Sequence, residues 1–169
     1  GKGIASLPAH LGIDTYQSHL MVMPADVLAT LYEKFGARLL EQNVRTFLQA
    51  RGNVNKGIRS TILNEPNMFF AYNNGITATA QEVETAMTAF GPVITRVVDL
   101  QIVNGGQTTV SLFHTRKRDK ADLSQIFVQM KLSVINSLQS EVVVPKISEY
   151  ANTQNKVNAA DFFSNHPFH

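Results

Sequence analysis

The stretch VVDLQIVNGGQTTVSLFH, residues 97–114, decides the fold class of this chain. Its first half is dense in apolar and β-branched residues, which predicts a buried strand. Its second half has apolar residues at helical spacing, and Asn104-Gly105-Gly106 separates the two halves. Because further strand-like and helix-like segments are mixed along the chain, we predict an α/β or α+β domain with a mixed sheet and flanking helices.

The Asn-Gly-Gly junction is a candidate anion site. A helix N-terminus carries free backbone N–H groups and a partial positive charge, and glycine lets a ligand approach the backbone. Gln107, Thr108 and Thr109 follow in the first helical turn, so the junction is a potential phosphate cradle. The structural alternative is a plain strand–helix turn capped by Asn104 or Thr108. The chain has neither a Walker A motif nor G-x-G-x-x-G here.

The composition is that of a soluble globular domain. The 169 residues are 44% hydrophobic and 17% charged, with a formal net charge of +2. This mildly basic balance permits nucleic-acid contact without indicating it, because Lys and Arg form no dominant stripe. The absence of cysteine excludes disulfides, thiolate metal sites and Cys nucleophiles, and it fits a cytoplasmic protein. No apolar run approaches the roughly 20 residues of a membrane span.

Local patterns predict the remaining elements. Strands are expected at YQSHLMVMP and IFVQMKLSVI, and helices at PADVLATLYEKFG, NVNKGIRSTILNEPN and QTTVSLFHTRKR. MFFAYNNGITATAQEV is predicted to form a hairpin around Asn-Asn-Gly. VITRVVDLQIV is predicted to be one strand at the centre of the sheet, and a helix is expected after Pro145.

The chain is predicted to hold a single domain, residues 17–169, preceded by a loop or ordered tail over residues 1–16. The sequence ends in SNHPFH without a capping or closing element. We therefore expect a C-terminally truncated fragment of a longer protein.

Amide side chains and one arginine form the candidate ligand set. Each asparagine alone is typical of a helix cap or a left-handed turn, whereas together they offer an uncharged hydrogen-bonding surface for a base or a sugar. Arg45 stands between apolar residues and can bind phosphate through two N–H groups. The predicted ligand-binding residues are Asn43, Arg45, Asn73, Asn74, Gly75, Asn104, Gly105, Gly106, Gln107, Thr108, Asn152 and Gln154.

Asp99 and Lys131 are the candidate catalytic residues. With Gln129 they resemble one variant of a metal-dependent nuclease core, which would use Mg²⁺. Two metal-binding carboxylates would make that pattern stronger. Apart from His166 and His169 at the chain end, the histidines lack metal-ligand spacing, so no metal site is predicted. A Gly-x-Ser-x-Gly nucleophile motif is also absent.

Three blocks together resemble the AIPR family of abortive-infection phage-resistance proteins. They are LLEQNVRTFLQARGNVNKGIRSTILNEPNMFFAYNNGITATA, LQIVNGGQTTVSLF and ISEYANTQNKVNAADFFSNHPF, in the family's order. The resemblance covers about residues 17–169. It implies a bacterial antiviral role, often beside restriction–modification genes, and it does not by itself imply a mechanism.

The same order of segments is similar to DGQHR and ParB-like domains. That second resemblance implies a DNA-associated function, a ParB-like core and, in some members, a nucleotide at the glycine turn. Where those domains carry Asp-Gly-Gln-His-Arg or Gly-Glu-x-Arg, this chain has Asn104-Gly105-Gly106-Gln107-Thr108. The motif therefore lacks both a catalytic acid and an arginine clamp, which favours binding over catalysis.

Three functions follow as hypotheses. The first is a defence module that binds a nucleotide, such as a nucleoside triphosphate, or a DNA phosphate in one cleft formed by the NVR, NNG and NGGQT motifs. The second is a metal-dependent nuclease, and for an enzyme we expect a nuclease or a nucleotide hydrolase. The third is a sensing or oligomerisation module whose effector lies elsewhere. Besides DNA or a nucleotide, the partners considered are a second copy of this chain and a partner from a restriction–modification-type operon. A membrane partner is not expected.

Overall fold

The computed structural model describes residues 3–51 and 54–153. The strands within them are β1 (Ile4–Ala9), β2 (Gln17–Pro24), β3 (Ile76–Ala80), β4 (Glu82–Thr88), β5 (Gly91–Val98), β6 (Gln101–Asn104) and β7 (Phe127–Val134). The helices are α1 (Ala25–Phe35), α2 (Gln42–Arg51), α3 (Lys56–Asn64), α4 (Phe69–Tyr72), α5 (Gly106–Asp119) and α6 (Ser137–Thr153). Two 3₁₀ turns cover Gly36–Leu39 and Pro66–Met68.

The strands form one mixed sheet in the order β4-β5-β1-β2-β7-β3-β6. Among these seven strands, β3 and β7 pair in parallel, and all other neighbours are antiparallel. This architecture confirms the predicted mixed sheet with flanking helices, in the α+β form.

The two ends of this strand order are formed by one two-stranded ribbon that bends in the middle. One strand of the ribbon is β3 followed by β4, and the other is β5 followed by β6. Strands β3 and β4 are joined by Gln81 alone, and β5 and β6 are joined by Asp99 and Leu100. The backbone N–H of Gln81 donates to the carbonyl of Val98 at 2.9 Å, which continues the pairing through the bend. Since two residues span at most about 7 Å, the sheet must curl until its ends meet.

Helix α5 occupies the centre of the main helical layer, where it contacts α1, α2 and α3. Val110 and Leu112 of α5 are buried, and so are the small residues Thr109 and Ser111 beside them. The core beneath this layer contains Val128, Met130 and Leu132 of β7, which alternate with exposed residues along the strand.

Helix α6 lies on the other face of the sheet, over β6. The β3–β6 ladder shifts register between Thr77 and Ala78, which leaves Val103 without a partner in the ladder. The carbonyl of Val103 instead accepts hydrogen bonds from Ser148 Oγ (3.3 Å) and Asn152 Nδ2 (3.0 Å) of α6. A β-bulge thus supplies the point at which α6 docks.

The predicted Asn-Asn-Gly hairpin is wrong. MFFAY forms a 3₁₀ turn and the short helix α4 instead of a strand, and the buried Phe69 anchors it in the core. Gly75 has φ +85°, and a Cβ there would lie 2.8 Å from the carbonyl oxygen of Gln129. Glycine is therefore needed for the close approach of β3 to β7, and the Asn-Gly signal reflected that approach.

Three further element predictions need correction. VITRVVDLQIV is divided at Asp99, whose φ is +55°, and its second part β6 is an edge strand. Residues 4–9, predicted as loop or tail, form β1 between β5 and β2, because both neighbours offer free edges. Helix α6 begins at Ser137 and contains Pro145. Among the described residues, no helix combines the length and apolarity needed to cross a membrane.

A pH-dependence of stability follows from His19 on β2. Its side chain is 5% exposed, Nδ1 lies 2.9 Å from Ser6 Oγ, and Nε2 is buried without a partner among the described residues. Burial lowers the pKa of His19 below its ordinary 6.5. As the pH falls, His19 is therefore protonated in the unfolded chain at a higher pH than in the folded chain. We expect the free energy of unfolding to fall as pH drops below about 6.5.

Urea unfolding between pH 7.5 and 5 will measure this slope in the wild type, His19→Gln and His10→Gln. His10 is exposed, so its variant should keep the wild-type slope. His19→Gln should flatten the slope in part, because burial and the nearby Arg118 and Lys117 also lower the pKa of His114. An unchanged slope in His19→Gln contradicts the prediction.

Candidate functional site

The Asn-Gly-Gly junction is closed by protein contacts. Gly105 caps α5 with φ +93°, and a Cβ at this position would lie 2.8 Å from the carbonyl oxygen of Gly75. A Cβ on Gly106 would lie 2.5 Å from Val44 Cγ1 of α2. Both glycines are thus explained by the close approach of other parts of the chain, and α2 covers the start of α5.

The polar side chains around the junction are bonded to each other. Asn73 accepts from the Gly75 N–H through Oδ1 (2.9 Å) and donates through Nδ2 to Thr108 Oγ1 (3.0 Å). Gln107 Oε1 accepts from Asn55 Nδ2 at 3.4 Å. These residues therefore fasten the loop before β3 and the start of α3 to α5, which is the structural alternative for this motif.

Two cavities on the α6 side of the sheet contain most of the remaining candidates. The first, which we call the Lys131 cavity, has a volume of about 600 Å³. It is lined by Asn74, Gly75, Thr77, Asn104, Lys131, Ile147, Tyr150 and Ala151. It brings the Asn-Asn-Gly and Asn-Gly-Gly motifs together through Asn74, Gly75 and Asn104.

The floor of the Lys131 cavity is a single row of side chains across three strands. Lys131 of β7 pairs with Thr77 of β3, and Thr77 pairs with Asn104 of β6. Paired residues present their side chains on the same face, so these three lie next to one another beneath α6. Lys131 has no ion-pair partner in the part of the chain that the structure describes.

The second cavity, which we call the Arg45 cavity, lies at the bend of the ribbon and has a volume of about 540 Å³. Arg45 donates from Nη2 to the Leu40 carbonyl at 3.0 Å, and its Nε is buried without a partner among the described residues. The lining residues are Arg38, Glu41, Gln42, Arg45, Thr79, Ala80, Gln81, Asp99, Leu100, Gln101, Ile135, Ser140, Glu141, Val144 and Pro145.

A chain of hydrogen bonds connects the two cavities through α6. Glu41, in the Arg45 cavity, accepts from Ser148 Oγ at 2.9 Å. Asn152 Nδ2 donates to the Ser148 carbonyl at 2.6 Å, and its Oδ1 accepts from Asn104 Nδ2 at 2.7 Å. Glu41 and Ser148 are both buried, so α6 docks on the sheet through a polar network.

The predicted residues are therefore distributed over two cavities and the closed junction. Asn43 contributes its backbone N–H to Glu41, and Asn152 belongs to the polar network. Gln154 lies outside the described residues. Asp99 and Lys131 line different cavities, so the two candidate catalytic residues share neither. The expectation that all the motifs line one cleft is corrected, because α6 and its contacts with β6 stand between them.

Sequence reasoning missed the residues that α6 contributes to the Lys131 cavity. Ile147 and Tyr150 line it, and Thr77 completes the floor. The alternation of buried and exposed residues in VQMKL places Lys131 on the non-core face of β7, and that signal was available from the sequence. Within residues 3–51 and 54–153, no group of three His, Cys, Asp or Glu residues could hold a metal ion.

Comparison with known proteins places the chain in a family. The model of the AIPR family, described as AIPR protein, matches residues 40–169, which is more than half of the sequence. The chain belongs to the AIPR family. No curated protein and no solved structure matches it. The similarity to DGQHR and ParB-like domains stays a prediction, whereas AIPR membership supports a role in abortive infection and phage resistance.

The close approach at Gly106 generates a stability prediction for this AIPR domain. Alanine favours a helix interior over glycine by up to about 1 kcal/mol, but at Gly106 its Cβ would overlap Val44. We expect Gly106→Ala to lower the free energy of unfolding by about 1–3 kcal/mol, the usual cost of overpacking.

Gly57→Ala in α3 is the matched control, because that Cβ would meet only Asn55 Oδ1, at 3.3 Å. It should lower the free energy of unfolding by less than Gly106→Ala does, because the Asn55 side chain has to move by only a few tenths of an ångström. If Gly106→Ala behaves like Gly57→Ala, α2 does not seal the start of α5 and the junction must be reconsidered as an open anion site.

Proposed function

We propose that this AIPR domain serves phage defence by binding the phosphate of a nucleotide or nucleic acid in the Lys131 cavity. The observation that carries the proposal is electrostatic. Lys131 is the only charged residue among the described residues that line the cavity, and the other side chains there are neutral. An unpaired ammonium at the floor of a neutral cavity attracts a phosphate, because no nearby carboxylate on the cavity wall compensates its charge.

Neutral groups around Lys131 are suited to the rest of such a ligand. The side chain of Asn74 makes no hydrogen bond within the described residues, so its amide can serve as donor and acceptor. Asn104 uses its Nδ2 group for α6, which leaves its carbonyl oxygen as an acceptor. These amides can recognise a sugar hydroxyl or a base edge without adding charge.

Helix α6 adds an apolar wall. Tyr150 is 55% exposed and lines the cavity beside Ile147. A nucleobase can stack on a tyrosine ring, and alanine substitution of such rings costs about 1–3 kcal/mol in known single-strand binders. The volume of about 600 Å³ lies within the range of about 300–1,000 Å³ that is usual for small-molecule sites.

The proposed site retains part of the set predicted from sequence. Asn74, Gly75 and Asn104 remain, and Lys131 takes the cationic role first assigned to Arg45. A nuclease with Asp99 and Lys131 in one active site receives no comparable support, because these residues line different cavities.

Lys131→Gln tests the proposal. Binding of ATP and of a fluorescent single-stranded DNA would be titrated by calorimetry and anisotropy at several salt concentrations. Loss of one charge-assisted hydrogen bond, about 1.5–3 kcal/mol, should weaken binding by at least about tenfold. For DNA, the dependence of log K on log salt should also become shallower by about 0.7 for each phosphate that the variant no longer neutralises.

Lys146→Gln is the matched control, because Lys146 is an exposed lysine of α6 that lines neither cavity. It should retain the wild-type dissociation constant. Wild-type affinity in Lys131→Gln, or equal weakening in both variants, would falsify the assignment of the phosphate to this cavity.

A further inference from the structure

The Arg45 cavity has a charge pattern that the proposed phosphate site does not use. Residues of both signs line it, from four different parts of the chain. Not one of them forms an ion pair with another within the described residues. The charged lining residues are Arg38, Glu41, Arg45, Asp99 and Glu141.

Glu41 is engaged by the protein. It is 5% exposed, and its Oε2 accepts from Ser148 Oγ at 2.9 Å and from the Asn43 N–H at 3.0 Å. Two donors on one oxygen compensate much of the negative charge of the carboxylate. Glu41 therefore supports the docking of α6, and the remaining four charged residues determine what the cavity attracts.

The two arginines stand on the side of the cavity formed by α2 and the turn before it. A guanidinium has five N–H donors, and Arg45 uses one of them, on the Leu40 carbonyl. Arg38 is exposed and stacks near the ring of Phe35, with 5.7 Å from the guanidinium carbon to the ring centroid. Both side chains thus retain donors suited to a carboxylate or phosphate.

The two free carboxylates come from other walls. Asp99 stands at the bend of the ribbon with φ +55°, and Glu141 lies on α6. Both are exposed, and neither side chain makes a hydrogen bond within the described residues. Carboxylates in this state accept hydrogen bonds from an ammonium.

We propose that the Arg45 cavity is a second ligand site, which takes a small dipolar molecule carrying one carboxylate and one ammonium group. The carboxylate is bound by Arg38 and Arg45, and the ammonium by Asp99 and Glu141. The two positive and two negative lining groups sum to no net charge. A ligand with both charges is therefore attracted by the arginines and by the carboxylates, whereas a simple anion is repelled by the carboxylates.

The neutral lining residues fit the middle of such a ligand. Gln42, Gln81 and Gln101 also line the cavity, and the volume of about 540 Å³ is enough for a dipeptide. An amide side chain can pair with a peptide group as donor and acceptor at once. An amino acid and a short peptide share the required chemistry, and their lengths distinguish them experimentally.

Calorimetric titration of the 169-residue chain tests the proposal with four probes. They are alanyl-alanine, its N-acetylated form with only a carboxylate, its C-terminal amide with only an ammonium, and free alanine. The dipolar dipeptide should bind at least about tenfold more tightly than either singly charged form, since each charge-assisted hydrogen bond is worth about 1.5–3 kcal/mol. Tighter binding of free alanine than of the dipeptide would assign the amino acid as the ligand class.

Substitutions then test which residues bind the ammonium group of the ligand and which bind its carboxylate. Asp99→Asn should abolish the preference for the dipeptide over its N-acetylated form, and Arg45→Gln should abolish its preference over the C-terminal amide. Glu141→Gln, at an exposed helical position, repeats the first test if Asp99→Asn disturbs the bend. Arg38→Gln likewise repeats the second test if Arg45→Gln perturbs α2.

Lys131→Gln separates this site from the phosphate site, because Lys131 does not line the Arg45 cavity. It should leave dipeptide binding unchanged even where it weakens nucleotide binding. The proposal would be overturned by equal affinity for charged and capped dipeptides, or by no binding of any probe. It would also be overturned if neither the arginine substitutions nor the carboxylate substitutions changed these binding preferences.

Discussion

The contact between Gly106 and Val44 is the constraint on which the rest of the structure depends. It brings α2 against the start of α5 at a distance that no side chain on residue 106 would allow. With α2 in this position, the Glu41 N–H donates to the Ile102 carbonyl and covers the outer edge of β6. Glu41 is then placed to receive Ser148 of α6, so the packing of three elements follows from one missing Cβ.

The bulge at Val103 converts this packing into two cavities. Its free carbonyl accepts from Ser148 and Asn152, and α6 is held over β6 at that point. The register shift also brings Gln101 and Asn104 to the same face of the sheet although they are three residues apart, one beside each cavity. A regular strand would place them on opposite faces. The separation of the Lys131 cavity from the Arg45 cavity thus originates in a local irregularity of the edge strand.

Much of the fold could be predicted from the sequence, and the failures have identifiable causes. The α1, α3 and α5 helices and the β2 and β7 strands have clear periodicity, because each buries one face against the core. The Asn-Asn-Gly segment was wrongly predicted to form a hairpin, because glycine suits a tight turn and a close approach of two strands equally well. For the site, Asn74, Gly75 and Asn104 were found together, whereas Ile147 and Tyr150 were not, because their cavity depends on where α6 docks.

The sequence alone determined the family, a mixed sheet with flanking helices, and the residues that carry glycine or amide groups at strand ends, since these depend on local spacing and composition. The structure then decided for α+β over α/β. Only the tertiary structure decided that Gly105 and Gly106 are covered and that Arg45 and Lys131 belong to different cavities. It also decided that the ribbon formed by strands β3, β4, β5 and β6 bends and so curls the sheet. Those outcomes depend on contacts between residues far apart in the chain, and a local pattern contains no information about the distance between them.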